Sequence, residues 1–343
     1  MHRRLAFFSL LLIFCLSGWS LTSSQPSMLD FSYGIPSSDQ IAIYVAQDLN
    51  LYEKAGLRPK FYVFQSGAPL LAALKSGSVD VTTTGLATIF ALGQNIPLKL
   101  LFWVANDGLN EALIGNPRSG IKSWKDINPK KKIGVASGTC AQVALYMMSQ
   151  KLGIDYSKLD VVNIPAPLFH NAFLSNSIDA GIAWSPYSFQ LRQQGFPIID
   201  FDPEYTLPAG DCPRLTAVRP DFIKTHPEIG TKLLEVETLA ARAIQKDPQV
   251  AIKALMNHLS LPETVARADY VSSYLRRPTF AQQLDPSSPY SMTARNGGLA
   301  QKLYLAGEAL FATKTIPAPL AMKTIQDSID PSYLKAYVAA HKR

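Results

Sequence analysis

"APLLAALKSGSVDV", residues 68–81, returns further along the chain as "APLFHNAFLSNSIDAG", residues 166–181. In each copy Ala-Pro-Leu opens an apolar run of helical period, a small polar turn closes it, and a strand begins at Val-Asp or Ile-Asp. Proline suits the first helical turn, where its missing N–H would have no partner in any case. A helix running through such a turn into a β-branched strand is half of a βαβ unit. Chance resemblance of two such units is the alternative to two lobes of one design, and the surrounding pattern bears on the choice.

Outward from the first copy, "LDFSYG" (29–34), "KFYVFQ" (60–65), "VDVTTTG" (79–85) and "LKLLFWVA" (98–105) alternate with helical stretches. Outward from the second, "KKIGVASG" (131–138), "LDVVNIP" (159–165), "IDAGIAWSP" (178–186) and "FPIIDF" (196–201) do the same. Buried strands of parallel sheets read as nearly continuous apolar runs, so the expectation is an α/β protein with two lobes, parallel-type sheets and flanking helices. After residue 219 only helices are expected. "THPE" (225–228) and "SLPE" (260–263) read as capping boxes in which Glu228 and Glu263 return to the cap residue's N–H. "EALIG" (111–115) and "LTAVRP" (215–220) read as a two-strand hinge, placing 28–113 with 219–343 in lobe 1 and 114–218 in lobe 2.

Where a helix start needs only structural support, this chain supplies a carboxylate. Three starts that follow a strand directly lack one: Ser66-Gly67-Ala68, Thr84-Gly85-Leu86 and Ser137-Gly138-Thr139. Unpaired N–H groups and the helix dipole make such ends receptive to a carboxylate, phosphate or sulfonate, and in open α/β sheets they lie at the edge where ligands bind. Ordinary Ser and Thr caps are the plainer reading of any single one.

The 343 residues are 47% apolar and 17% charged, enough for two sizeable cores. Met1-His-Arg-Arg followed by "LAFFSLLLIFCLSGWSL" reads as a secretory signal over residues 1–25, placing the mature protein in the periplasm. Cys15 is not expected to anchor a lipid, because Phe14 stands where a small residue is needed and the apolar run continues past it. Loss of Arg3 and Arg4 with the signal leaves 31 basic against 26 acidic residues, a formal charge of +5 instead of +7. "NPKKK" (128–132) alone does not make a nucleic-acid surface. No dinucleotide fingerprint, P-loop, nucleophile elbow or zinc motif occurs, and His2, His170, His226, His258 and His341 are scattered, so no enzyme, metal or cofactor is expected. Cys140 and Cys212 remain after export, either as a disulfide joining the 137–141 and 208–214 loops or as two free buried thiols.

Taken in order, "VAQDLNLYEKAGL" (45–57), "FQSGAPLLAALKSGSVDV" (64–81), "EALI" (111–114), "SGTCAQVALYMMSQKLGI" (137–154), "LDVVNIPAP" (159–167), "SIDAGIAWSPY" (177–187) and "VRPDFIKTHPEI" (218–229) resemble the nitrate/sulfonate/taurine group of ABC-transporter solute-binding proteins. The resemblance implies a type II periplasmic-binding-protein fold. It further implies a monomer that closes on a small organic anion and delivers it to an inner-membrane permease. By position it places Tyr33, Ile35, Pro36 and Ser37 at the cleft, with Ser66, Gly67, Thr84 and Gly85. From the second lobe it adds Ser137, Gly138, Thr139 and Trp184. The taurine binders carry an Asp eight residues before the Phe of "VRPDF", pairing with the ligand amine. Here that position is Arg214, and Asp211 lies three residues earlier, so the far end of the ligand is open between an amine and a second anionic group. Other small acids, amino acids and pyrimidine precursors are alternative ligands. A pyrimidine-synthesis enzyme on the same fold is the alternative of another class, and a sensor partner a third.

Overall fold

The computed structural model describes residues 28–201 and 212–341. The signal segment and Asp211 lie outside them. The strands are β1 (Leu29–Pro36), β2 (Leu57–Phe64), β3 (Val81–Thr84), β4 (Lys99–Asn106), β5 (Ala112–Gly115), β6 (Lys132–Val135), β7 (Asp160–Asn163), β8 (Ala180–Ala183), β9 (Ile198–Phe201) and β10 (Pro213–Val218). They form two five-stranded sheets, β2-β1-β3-β10-β4 and β7-β6-β8-β5-β9, with the same left-to-right plan. The repeated stretch becomes the helix Gly67–Lys75 leading into β3 in one lobe and Phe169–Leu174 leading into β8 in the other. The two copies hold equivalent places, each carrying the chain from an outer strand to the middle of its sheet.

Two expectations need correction. The sheets are mixed: β10 runs antiparallel to β3 and β4, and β5 runs antiparallel to β8 and β9. Both are the strands by which the chain arrives from the opposite lobe, so each enters its sheet from the cleft end and must run backwards. For the same reason β10 (Pro213–Val218) belongs to the first sheet and not to lobe 2, the expected place of 114–218, and Ala112 and Leu113 already pair in the second. Among the described residues the chain crosses between the sheets in the stretch between Asn106 and Ala112. All six residues of β10 are buried, Arg214 and Thr216 included, and its apolar members Leu215, Ala217 and Val218 do not say which sheet it enters.

The helical tail packs on the first lobe. Helix Glu228–Lys246 turns Ile229, Leu233, Val236, Ala240 and Ile244 inward at the three- and four-residue spacing of an amphipathic helix. Asp330 donates its N–H to the Leu100 carbonyl at 2.9 Å, tying the tail to edge strand β4. Helix Gly298–Ala312 touches both Ala87–Gly93 and Cys140–Lys151, and so spans the two lobes. Neither expected capping box forms. Pro227 and Pro262 restart the helices at Glu228 and Glu263, which become first-turn anions facing the dipole, while the Thr225 hydroxyl donates back to the Phe222 carbonyl at 2.9 Å. The boxes lie instead at Ser123–Asp126 and Thr279–Gln282. Among the described residues no helix is long and apolar enough to cross a membrane.

Candidate functional site

Between the lobes, at the carboxyl edges of the central strands, lies a cavity of about 60 Å³. At ~15 Å³ for each water-sized body, that admits a compact head group of a few heavy atoms. Lobe 1 lines it with Pro36, Ser66, Gly67, Thr84 and Gly85, lobe 2 with Thr139 and Trp184, and Arg214 closes one side. The helices that start beside Ser66, Thr84 and Thr139 carry no acidic residue in their first turn and no side-chain cap on their N–H groups. Thr139 Oγ1 instead donates backwards to the Ala136 carbonyl at 2.6 Å. Gly67 allows a close approach of two such starts, since a Cβ there would stand 2.7 Å from that of Ala87.

Among the described residues, the remaining sequence-derived positions do not line the cavity. Tyr33 and Ile35 alternate into the lobe 1 core at 3% and 1% exposure, with the Tyr33 hydroxyl 2.6 Å from Thr83 Oγ1. Ser37 sits at the rim, where its hydroxyl meets Tyr187 and its carbonyl accepts from Trp184 Nε1 at 3.3 Å, linking the lobes. Ser137 and Gly138 spend their N–H groups on Asn163 Oδ1 at 3.0 Å and Gln142 Oε1 at 2.7 Å. Gly138, at φ +74°, packs its Cα against the Phe90 ring. Asp211 lies outside the described residues.

Arg214 is 4% exposed and enters β10 between two carboxylates. Its Nε and Nη2 donate to Asp107 at 3.0 and 2.6 Å, its Nη1 to the Asp39 carbonyl at 2.6 Å, and Nη2 also to Asp39 Oδ1. Four of five N–H donor positions are thereby engaged inside the protein. Burial pushes the Asp107 carboxyl up to about 6 against the pull of Arg214. Asp269 stands behind Asp39, where burial and the neighbouring Asp39 charge push its carboxyl well above the ordinary range. Its Oδ1 accepts from Ser185 Oγ of lobe 2. The buried oxygens Asp39 Oδ2 and Asp269 Oδ2 have no hydrogen-bond partner among the described residues, and the two side chains lie within hydrogen-bonding reach of each other, so a proton on Asp269 would bridge them. A relay thus runs from Ser185 through Asp269 and Asp39 to Arg214 at the cavity wall.

This protonation has a testable sign. A folded-state value above the unfolded one means that the native protein binds the proton more tightly, so stability drawn from Asp269 is complete below about pH 4 and drains away as pH rises. Asp269→Asn keeps the shape of the protonated acid, and its melting temperature should gain on the wild type as pH rises from about 4 to 8. Parallel curves would show that Asp269 carries no proton.

Cys140 and Cys212 form a disulfide with Cα atoms 5.9 Å apart. Cys140 opens a lobe 2 helix, whereas Cys212 is held to lobe 1 by Asn106 Oδ1 at 2.9 Å, so the bond joins the lobes at the cavity floor. Gly85 makes room for it, since a Cβ there would lie 3.4 Å from Cys140 Sγ. The Glu111 carboxylate lies within 4.8 Å of both sulfurs. Sulfurs bonded to each other have no thiolate to offer a metal. Ser38, Asp107 and Glu111 also line the cavity; only Glu111 has a signal in the sequence, since it opens "EALI" at 111–114, one of the stretches that carry the resemblance.

The profile of a family described as NMT1/THI5 like matches residues 37–251. The chain belongs to that family. This NMT1/THI5-like chain is 26% identical over 213 residues to the taurine-binding periplasmic protein of Escherichia coli K12, covering 61% of the chain and 65% of that relative's length. Its fold matches the alkanesulfonate-binding protein SsuA from Xanthomonas axonopodis pv. citri bound to MOPS, with a TM-score of 0.73 at 16% identity over 89% of this chain and 99% of that one. It also matches the nitrate-binding protein NrtA from Synechocystis PCC 6803, with a TM-score of 0.72 at 13% identity over 92% and 90%. The two-lobed periplasmic-binding-protein fold is therefore the architecture of this family member.

Proposed function

We propose that this NMT1/THI5-like chain is the exported solute-binding component of an ABC importer. Its ligand is a small organic anion that also bears an amine, an aminosulfonate or a close analogue. One observation carries the reading: the acid-free helix starts at Ser66, Thr84 and Thr139 share a cavity with the carboxylates of Asp107 and Glu111. The helix ends suit the sulfonate or carboxylate. Arg214 is committed to Asp39 and Asp107 and does not confront an ammonium, so the carboxylate side of the cavity accepts one. Trp184 covers the carbon chain between them. The relative named for taurine supports this class.

Thermal unfolding of the chain lacking residues 1–25 tests the proposal with taurine against ethanesulfonate, which lacks the amine. A ligand at 100 times its Kd adds ~2.7 kcal/mol to the folded state. At this size each kcal/mol raises the melting temperature by roughly 2 °C or more. Taurine should shift the transition more than ethanesulfonate, and Glu111→Gln should erase the difference. Equal shifts would remove the amine from the reading, and no shift with any organic anion would remove the binding function.

A further inference from the structure

A second cavity, of about 620 Å³, opens in lobe 1 and shares no lining residue with the first. Its size falls within the range of small-molecule sites. Helix Glu228–Lys246 forms one wall, the end of β4 another, and the segment from Tyr270 to Phe280 the third. The walls are aromatic: Trp103, Tyr270, Tyr274 and Phe280 all face it, with the Tyr270 and Tyr274 rings stacked at 5.9 Å and 22°. Tyr274 is 6% exposed, and its hydroxyl has no hydrogen-bond partner among the described residues. A buried hydroxyl without a partner carries a desolvation penalty that a group accepting from it removes on arrival.

The charges in the cavity are one acid and two cations. Glu237 lies on the helical wall, where burial raises its carboxyl and the Arg277 charge lowers it. The Arg277 guanidinium lies 4.0 Å from the centre of the Tyr274 ring, a cation–π contact that fixes its plane beside the open space. Arg242 stands at the mouth, one turn of helix further on. Glu237 against Arg242 and Arg277 leaves a single positive charge, which favours an anion over a cation. Flat aromatic walls favour a ring over an aliphatic chain.

We propose that this cavity is a second binding site, taking an aromatic monocarboxylate or monosulfonate whose ring lies along Tyr270 and Phe280, whose anionic group meets Arg277 and Arg242, and whose oxygen accepts from the Tyr274 hydroxyl. The site is independent of the cleft and of the ligand bound there. It gives the lobe that carries the C-terminal helices a means to sense a second, aromatic solute.

Ligand-observed fluorine NMR with 4-fluorobenzoate, on the chain lacking residues 1–25, tests the proposal, with 4-fluorobenzylamine as the cationic counterpart. Saturable binding of the acid and none of the amine is expected. Arg277→Ala should weaken the acid about tenfold and Tyr274→Phe about fivefold, steps of the size given by one charged and one neutral hydrogen bond. Glu237→Gln removes the opposing charge and should tighten binding, an outcome that simple loss of structure cannot mimic. Trp184→Ala, in the cleft, should leave it unchanged. Absence of saturation below about 10 mM, a Kd at which binding is worth no more than ~3 kcal/mol, would overturn the proposal. So would loss of binding on Trp184→Ala, which would place the acid in the cleft.

Discussion

Arg214→Met is expected to destabilise the protein by about 3–5 kcal/mol, the usual effect of removing one partner from a buried charge network. The guanidinium is 4% exposed and is ion-paired with both Asp39 and Asp107. Without it, two carboxylates face each other with Asp269 behind them, and the hydrogen bonds that hold β10 to the loop after β1 are lost with the guanidinium. Arg214→Lys should recover little, because one ammonium cannot reach Asp107 through two nitrogens and the Asp39 carbonyl as well. Adding Asp107→Asn to Arg214→Met should restore part of the loss by removing one orphaned charge. Equilibrium urea unfolding reads all three. A loss below about 1 kcal/mol for Arg214→Met would show that water reaches the site and screens it as at a surface.

The second large effect is expected from Cys140→Ser with Cys212→Ser. The bond closes a loop of 72 residues, and the chain-entropy account gives about 4 kcal/mol for a loop of that length, with typical measured values of 2–4. At roughly 2 °C or more for each kcal/mol, the melting temperature should fall by on the order of 10 °C. Because the bond joins the lobes beside the cavity, its loss should also widen the opening arc and speed ligand dissociation. Stopped-flow release of a bound sulfonate checks that part. Unchanged melting and release would mean that the bond constrains neither the unfolded chain nor the lobes, and full recovery of wild-type behaviour by reoxidising a reduced sample would tie the effect to the bond itself.

Much of the architecture was legible along the chain because it rests on local patterns. The paired stretches at 68–81 and 166–181 place a helix and a strand by periodicity alone, and their equivalence in the two sheets follows. The helix starts at Ser66, Thr84 and Thr139 were visible because a missing first-turn acid is a property of a few consecutive residues. The expected capping boxes failed for an equally local reason: a proline one residue before the Glu restarts the helix, so the Glu occupies the first position and cannot reach back.

What tertiary structure decided are the groups that act across long separations. Asp107 and Glu111 reach the cavity because the chain crosses between lobes there, and Arg214 reaches Asp39 and Asp107 because β10 inserts backwards between β3 and β4. An arginine whose place in the motif left the far end of the ligand open has, in the fold, four of its five N–H donor positions engaged by Asp39 and Asp107. Residue type and period report what a segment does with its neighbours in sequence; which charge meets which is set by strand order and direction, and these follow from the joint burial of two sheets that no single segment contains.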